Sequence, residues 1–463
     1  MIEKIFKAYD VRATYPSPLN EDAAWRVGHA TAQFLKRSRQ GATAEQKVKM
    51  EDTIVVGRDM RPHSPSLAKA LSDGIRSTGM NVIDIGMIDT AMIYFAINHL
   101  DCVGGIMTTA SHNPVQYNGF KISGPKAKPI GAASGLDDIK RIAAGLHVGK
   151  TGLLGKLEER DLWPDYQRHV LQFLDLKRKL TVVVDASNGM AGKMVPAIFG
   201  DQINLEIVPI LFEITGSFVH EPNPLVESNL QMLKDRMAEV KPDLGVCFDG
   251  DADRCIFLDE SGKMIGSDLI TAIIARDFLQ RPQNKGSTIV YDLRSSHVVA
   301  DEVKAAGGVP KRDRVGHAFI KKTMADTKAV FGGELSGHLY FRDNFFADSA
   351  AIAFARMLSI ISAQPAPLSA LVKPLHRYSQ SGEVNFQVED KEGKIRELAD
   401  HYKKGQTDYL DGITIDMGDW WFNVRKSNTE PLLRLNLEAK TPELRDEKFA
   451  ELKKILGEPV HGH

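Results

Sequence analysis

The sequence predicts three consecutive α/β units followed by a small α+β domain, and three observations carry that prediction. A β-branched strand that runs into polar residues occurs three times, as IVVGRD (54–59), VVVDAS (182–187) and IVYDLR (289–294). Between these strands the apolar residues recur at helical spacing, the alternation expected of α/β units whose functional groups lie past the carboxyl ends of strands. After Pro365-Ala-Pro367 that alternation stops, and closely spaced strands with two helices take over.

At 463 residues the chain is too long for one hydrophobic core. A domain size of about 150 residues predicts three or four domains, divided here as 1–154, 155–255, 256–368 and 369–463. In the first, Thr53–Asp59, Asn81–Ile88 and Cys102–Thr109 read as strands and Ser64–Gly79 as a helix, while the polar, lysine-rich Ser38–Asp52 reads as a surface loop. A glycine-rich passage near 148–155 leads into the second. It holds a helix over Asp161–Leu174, a strand over Leu180–Asp185, a turn at Asn188–Gly192, a helix over Asn229–Val240, and strands at Leu244–Phe248 and Cys255–Leu258. In the third, Gly266–Leu279, Ser295–Ala306 and Asp348–Ile361 have helical spacing, and Thr288–Asp292 and Ala329–Gly333 are extended. The last domain starts with a strand from Gly382 and a helix near Lys394–Tyr402. Strands at Gly412–Asp416, Trp420–Val424 and Leu432–Ala439 and a helix over Glu443–Leu456 complete it.

A formal charge of −1 gives no general field for nucleic acid or a membrane surface, so an anion site has to be local. Three cysteines, at 102, 247 and 255, fit a reducing compartment and no disulfide framework. The start, Met-Ile-Glu-Lys-Ile-Phe-Lys, lacks the apolar run of a signal peptide, and no stretch of about 18 apolar residues follows. The expectation is a soluble cytoplasmic protein without nucleic-acid or membrane partners, monomeric or dimeric.

The densest chemistry lies in Asp249-Gly250-Asp251-Ala252-Asp253-Arg254. Three carboxylates at alternate positions between two apolar strands suit a hard divalent ion, magnesium (Mg2+) or calcium, and the loop itself supplies no Cys or His ligand, which argues against zinc. An EF-hand would put Asp249 at its first position and Glu260 at its twelfth. However, Arg254 then occupies the place of the obligatory glycine, and the flanks read as strands where helices are needed.

Ser111 lies in Thr108-Thr-Ala-Ser-His-Asn-Pro114, directly after an apolar strand, and reads as a serine presented on a tight loop. No G-x-S-x-G elbow surrounds it, and His112 is merely adjacent in sequence, so acyl transfer is not indicated. A hydroxyl or its phosphate ester would instead complete the shell of the ion. Lys121, after a second turn, offers an ammonium for a phosphoryl oxygen or a proton relay. Gly333-Glu334-Leu335-Ser336-Gly337-His338 gathers a carboxylate, a hydroxyl and an imidazole suited to sugar hydroxyls. Arg425-Lys426-Ser427-Asn428-Thr429-Glu430-Pro431 joins two strands and supplies a guanidinium fork, an ammonium, hydroxyls and an amide for phosphate oxygens.

Together these motifs resemble the α-D-phosphohexomutase family, most closely its phosphomannomutase/phosphoglucomutase branch. The likeness spans nearly the whole chain: a phosphoserine loop TASHNP, a metal loop DGDADR, a sugar loop close to GEMSGH and a phosphate loop RxSNTEP, in the family's order. The resemblance implies four domains around a central cleft, three of related mixed α/β fold and a C-terminal α+β domain like that of TATA-binding protein. It implies phosphorylation of Ser111, and Mg2+ held by Asp249, Asp251, Asp253 and a phosphoserine oxygen. Arg254 and Lys121 would lie beside the transfer, with Lys121 or His338 relaying the hydroxyl proton. Glu334 and Ser336 would hold sugar hydroxyls, and Arg425, Ser427, Asn428 and Thr429 the phosphate that does not react. Tyr9 and Arg12 match an N-terminal YDIRG motif, and Gly316-His317 a loop that reaches substrate.

The implied reaction interconverts hexose 1-phosphate and hexose 6-phosphate through a hexose 1,6-bisphosphate that also serves as activator. Three positions depart from the family pattern. Ala13 replaces the glycine of YDIRG, Arg294 stands where the branch has lysine, and Leu335 replaces the methionine of GEMSGH. Leu335 also separates the chain from the GEQSGH of phosphoglucosamine mutases. The other readings of the same residues are phosphoglucosamine mutase, a magnesium-dependent phosphatase, and a sugar-phosphate-binding protein without catalysis.

Overall fold

The computed structural model describes residues 2–40, 51–146, 154–427 and 432–460, with backbone alone at 38–40 and 51. Residues 1–265 with 336–369 form one compact unit, and residues 266–335 with 370–463 form a second.

Among the described residues, six strands make the first sheet of the first unit, in the order β1-β5-β4-β2-β3-β6. They are β1 (Val11–Thr14), β2 (Glu51–Arg58), β3 (Asn81–Met87), β4 (Cys102–Thr108), β5 (Tyr117–Ser123) and β6 (Leu157–Glu159). β2 is parallel to β3 and β4, and β3 to β6, whereas β5 returns antiparallel along β4. Parallel neighbours require crossover segments, and these are the helices Ser64–Arg76 and Thr90–His99. The second of them escaped the sequence reading because eight of its ten residues are buried, which removes the polar face that reveals a helix. Nor did periodicity reveal Glu21–Gln40, a 20-residue helix packed against Ser64–Arg76. The expected loop Ser38–Asp52 is narrower, since that helix runs to Gln40 and β2 starts at Glu51; residues 41–50 lie outside the described residues.

The second sheet has the order β10-β9-β7-β8, with β7 (Leu180–Asp185), β8 (Leu205–Ile210), β9 (Leu244–Phe248) and β10 (Cys255–Leu258). β7 is parallel to β8 and β9, while β9 and β10 form an antiparallel hairpin with Cys255 opposite Phe248. Strands on both sides of Asp249–Arg254 remove the EF-hand, which needs helices there. The turn expected at Asn188–Gly192 ends earlier, because the helix Ala191–Phe199 takes its last two residues. Helix Ala350–Ser362 is buried nearly all round, and Phe354 packs edge-on against Phe199 and Phe248.

In the second unit β11 (Thr288–Asp292) lies between, and parallel to, β12 (Val309–Asp313) and β13 (Phe331–Gly333). The helix His317–Thr327, not predicted, begins at the Gly316-His317 motif. Back in the first unit, β14 (Leu339–Phe341) and β15 (Ala347–Asp348) pair antiparallel. The C-terminal sheet is antiparallel, in the order β17-β18-β19-β20-β16-β21. Its members are β16 (Ser379–Gln387), β17 (Gln406–Asp408), β18 (Ile413–Asp416), β19 (Trp420–Lys426), β20 (Leu432–Ala439) and β21 (Pro459–Val460), covered by the helices Lys391–His401 and Pro442–Leu456. Among the described residues no helix is long and apolar enough to cross a membrane.

Within this unit Glu438 on β20 is 1% exposed, and its Oε1 accepts from the His297 backbone N–H at 3.0 Å and the Trp421 indole at 2.8 Å. Burial pushes its carboxyl up to about 7. A carboxyl raised in the folded state contributes stability that is complete below its unfolded pKa near 4 and is lost as the pH rises through about 7. Glu438→Gln keeps the acceptor and removes the titration. Its melting temperature, relative to the parent's, is expected to be higher at pH 8 than at pH 5, by an amount on the order of 1–3 kcal/mol of stability.

Candidate active site

The hairpin of β4 and β5 carries the serine. Thr108 pairs with Phe120 and Met107 with Lys121, so the chain turns through residues 109–116 and returns with Lys121 on a strand beside the loop it has just made. Lys121 therefore owes its position to strand register, not to a turn as the sequence suggested. Ser111 has φ 51°, a conformation rare for L-residues, and its N–H donates to Thr109 Oγ1 at 2.9 Å. The serine is 4% exposed rather than presented to solvent, because the turn between β9 and β10 packs onto it.

That packing is close at the backbone. A Cβ built on Gly250 would lie 2.5 Å from the Ser111 carbonyl oxygen, and the Gly250 carbonyl accepts from the Met190 N–H at 2.9 Å. Glycine is thus required for the two loops to meet. Gly250→Ala is expected to separate them by a fraction of an ångström to an ångström and to lower kcat about 100-fold, measured as turnover at saturating substrate.

Asp249 and Asp251 are fully buried and Asp253 nearly so. Asp249 Oδ1 accepts the backbone N–H groups of Asp253 and Arg254, each at 3.1 Å. Asp249 Oδ2 accepts Ser111 Oγ and Arg254 Nε, each at 3.0 Å. Asp251 Oδ2 accepts Thr90 Oγ1 at 2.5 Å, Lys121 Nζ at 2.7 Å and Thr109 Oγ1 at 3.3 Å, and Lys121 also pairs with Asp253 Oδ2. Burial, and next the charge of Asp253, push the Asp249 carboxyl up to about 7. Burial works against the Asp253 carboxylate too, but Lys121, His338 and Arg254 outweigh it and hold it well below its usual range. Burial likewise disfavours the charged Lys121, and Asp251, Asp253 and Asp249 reverse that effect, so its ammonium is held above the ordinary lysine value.

The arrangement fits a divalent cation. Ligand oxygens of Asp249, Asp251 and Asp253 lie within 4.8 Å of one another; the buried Oδ1 of Asp251 has no hydrogen-bond donor among the described residues, and that of Asp253 is faced by His338 Nε2 at 3.4 Å. Hard oxygen donors in a buried pocket, one of them left unsatisfied, are what magnesium coordination needs.

Arg254 Nη2 stands 3.2 Å from Ser111 Oγ and also reaches His112 Nδ1. The Arg254 charge, then burial, hold the His112 imidazolium well below its ordinary pKa, so His112 is neutral and its Nδ1 is occupied by the arginine. Although Ser111 Oγ lies 3.4 Å from that nitrogen, His112 is not placed as a base for it. Arg12 on β1 donates to Asn113 Oδ1 at 2.6 Å and to Asp10 at 2.5 Å, which brings the N-terminal motif to the serine loop; Tyr9 nearby is partly buried. Asp253 Oδ1 faces His338 Nε2 at 3.4 Å, and Ser336 Oγ contacts His338 Nδ1 at 2.9 Å.

The second unit gathers other predicted residues. Arg294 is paired with Asp292 at 2.7 Å, and Glu383 is met by Arg425 at 2.7 Å, Arg434 at 3.1 Å and Arg294 at 3.7 Å. Burial would raise the Glu383 carboxyl, but Arg425, Arg294 and Arg434 outweigh it and keep it below its usual range. Glu334 accepts the Gly316 N–H at 2.9 Å, next to His317 at the start of its helix. Ser427 is held by its N–H to the Leu432 carbonyl at 2.9 Å, while Asn428 and Thr429 lie outside the described residues.

The first unit thus brings together Ser111, Lys121, Asp249, Asp251, Asp253, Arg254, His338, Ser336 and Arg12. The second brings together Arg294, Arg425, Glu334 and the Gly316 loop. Sequence reasoning missed Thr90, Thr109 and Glu383. A threonine just past a strand or at a helix start is too common to stand out, and Glu383 becomes informative only beside three arginines.

Models of the phosphoglucomutase/phosphomannomutase family match the chain as α/β/α domain I over residues 3–146, domain II over 164–262, domain III over 266–378 and the C-terminal domain over 383–455. A phosphomannomutase of Vibrio cholerae is 36% identical over 463 residues, covering 97% of this chain and 98% of its own. A Xanthomonas campestris protein described as phosphohexose mutases is 37% identical over 441 residues, covering 94% and 95%. A crystal structure of a phosphoglucomutase/phosphomannomutase family protein from Burkholderia thailandensis superposes with a TM-score of 0.87 at 30% identity, covering 99% of each chain. Four matched domains in sequence and relatives alike over nearly their full length lead to one conclusion: the chain belongs to the phosphoglucomutase/phosphomannomutase family.

Proposed function

We propose that the protein is a phosphohexomutase that interconverts hexose 1-phosphate and hexose 6-phosphate through phosphorylated Ser111. The observation that carries this reading is the position of Ser111 Oγ, 3.0 Å from Asp249 and 3.2 Å from Arg254 although the residues are far apart in the chain. In the first half-reaction the free hydroxyl of the sugar phosphate attacks the phosphoryl group on Ser111. The Ser111 O–P bond breaks, a sugar O–P bond forms, the hydroxyl proton passes to His338, and Ser111 Oγ regains a proton as it leaves. Lys121 already donates to two carboxylates, which favours His338 as the relay. The resulting hexose 1,6-bisphosphate turns over in the site and returns its other phosphoryl group to Ser111, which reverses the bond changes.

Charge management is the physical requirement, since the transferring group spreads negative charge over its oxygens in a loose transition state. Arg254 and Lys121 supply fixed positive charge at that point. Asp249, Asp251, Asp253 and a phosphoserine oxygen would hold Mg2+, which when bound adds charge neutralisation at the transferring group. Glu334 and Ser336 are assigned to sugar hydroxyls, with Tyr9, Arg12 and His317 as further substrate contacts. Arg425, Ser427, Asn428 and Thr429, with Arg294, are assigned to the phosphate that does not react. The domains are placed at 1–154, 155–255, 256–368 and 369–463, and three buried free cysteines agree with a reducing, cytoplasmic setting.

Treatment with glucose 1,6-bisphosphate, followed by intact mass measurement and peptide mapping, is expected to add one phosphate, on Ser111. Conversion of glucose 1-phosphate or mannose 1-phosphate to the 6-phosphate should follow, and should stop when a chelator removes magnesium. Stoichiometric release of inorganic phosphate instead would identify a phosphatase and overturn the mutase reading.

A further inference from the structure

The threefold strand motif has a consequence beyond fold. Each of its three strands ends on or just before a fully buried aspartate, Asp59, Asp185 or Asp292, and each of these accepts the backbone N–H two residues on: Arg61 at 3.1 Å, Ser187 at 2.8 Å and Arg294 at 2.8 Å. Each also holds a side chain able to carry positive charge. Asp59 pairs with Arg61 at 3.1 Å, Asp185 with His220 at 3.2 Å and Asp292 with Arg294 at 2.7 Å. The same Asp-x-Arg device thus stands in the first and third α/β domains of the sequence. In the third, Arg294 extends toward Glu383.

In the first, Arg61 turns inward. Its side chain has no solvent exposure, and all five of its N–H donors are used. Nε goes to Asp59. Nη1 donates to the carbonyls of Pro114 at 2.7 Å and Tyr117 at 3.1 Å, and Nη2 to those of Ser111 at 2.8 Å and Asn113 at 2.7 Å. Asp59 in turn accepts Ser64 Oγ at 2.5 Å, and Ser64 accepts Asn118 on β5 at 2.8 Å. Three carbonyls of one short loop, and that of the first residue of β5, therefore point at one planar cation, anchored by a carboxylate just past the end of the neighbouring strand.

We propose that Arg61, fixed by Asp59, is a positioning residue for phosphoryl transfer: it holds the 111–117 loop in the conformation that keeps Ser111 Oγ at the aspartate triplet. The inference rests on the phosphoserine reading given above. Such a loop has no sheet or helix of its own to satisfy its carbonyls, and Ser111 has to keep a positive φ while its Oγ gains and loses a doubly charged group. A guanidinium fork satisfies several carbonyls at once in fixed geometry, which a lysine ammonium cannot do.

Arg61→Lys keeps the charge opposite Asp59 and surrenders the fork. With glucose 1-phosphate, kcat is expected to fall roughly 30- to 100-fold while KM stays within about threefold, the loss expected from misplacement of a reacting group. Hydrogen exchange at the Ser111, Asn113 and Tyr117 amides should quicken while the core of β2 and β4 keeps its protection. Wild-type kcat per folded molecule, with only the melting temperature lowered, would reduce Arg61 to a packing role and overturn the proposal. Should Arg61→Lys fail to fold, Asp59→Asn, which keeps the acceptor for the Arg61 N–H, is expected to give the same separation of kcat from KM. Absence of phosphate on Ser111 in the wild-type protein after glucose 1,6-bisphosphate would sink the phosphoserine reading instead. The exchange measurement would then still decide whether Arg61 holds the loop.

Discussion

Replacement of Ser111 by alanine is expected to lower conversion of glucose 1-phosphate by roughly 10⁴-fold or more, with the fold intact. The size follows from what is removed. A covalent route through the serine is closed, and the remaining cations can only stabilise a direct transfer for which the protein supplies no acceptor. The side chain is small and its Oγ makes one direct contact with the triplet, at Asp249, so melting should change little. Substrate affinity, measured by calorimetry with glucose 1-phosphate, is expected to persist through the second unit's arginines. Retention of full turnover by Ser111→Ala would remove the serine from the chemistry altogether.

Arg254→Lys is expected to lower kcat by about 10² to 10³, or about 3–4 kcal/mol of transition-state stabilisation, with a much smaller change in KM. Arg254 spans two partners at once, Nε on Asp249 and Nη2 at Ser111 Oγ. A lysine keeps the charge but cannot hold both in one plane. Since a lysine keeps the positive charge beside the buried His112, the His112 imidazole should stay below its ordinary pKa in the variant. That is readable by NMR as a ring that takes up its proton only well below the ordinary imidazole range. A kcat equal to the parent's would show that the guanidinium serves packing alone.

Much of this site was legible beforehand because the residues that carry it sit at strand ends. Strands announce themselves by β-branched runs, and a charged cluster directly after such a run has few structural explanations. The aspartate loop is the clearest case: β9 and β10 flank it where strands were expected, which by itself rejects the EF-hand. Burial was harder. Ser111 reads as exposed because nothing within the loop covers it; the cover comes from Gly250, distant in sequence and close in space. Lys121 was expected after a second turn, yet Tyr117–Gly119 before it already lie within β5, where Gly119 sits against the backbone of β1. The helix Thr90–His99 was hidden for the opposite reason, since a helix covered on every face has no periodicity to detect.

By itself the sequence determined the alternation of strands and helices, the change of architecture after Pro365-Ala-Pro367, and the identity and order of the loops that carry charge. These are local properties, written in the spacing of apolar residues along a few turns or strands. Only the tertiary structure decided that residues 138 apart, Ser111 and Asp249, share a hydrogen bond, and that Arg61 spends every donor on the serine loop. Those outcomes depend on the register of β5 against β4 and on which backbones come close enough to exclude a Cβ. Both are fixed by packing between segments far apart in the chain, and no local pattern records them.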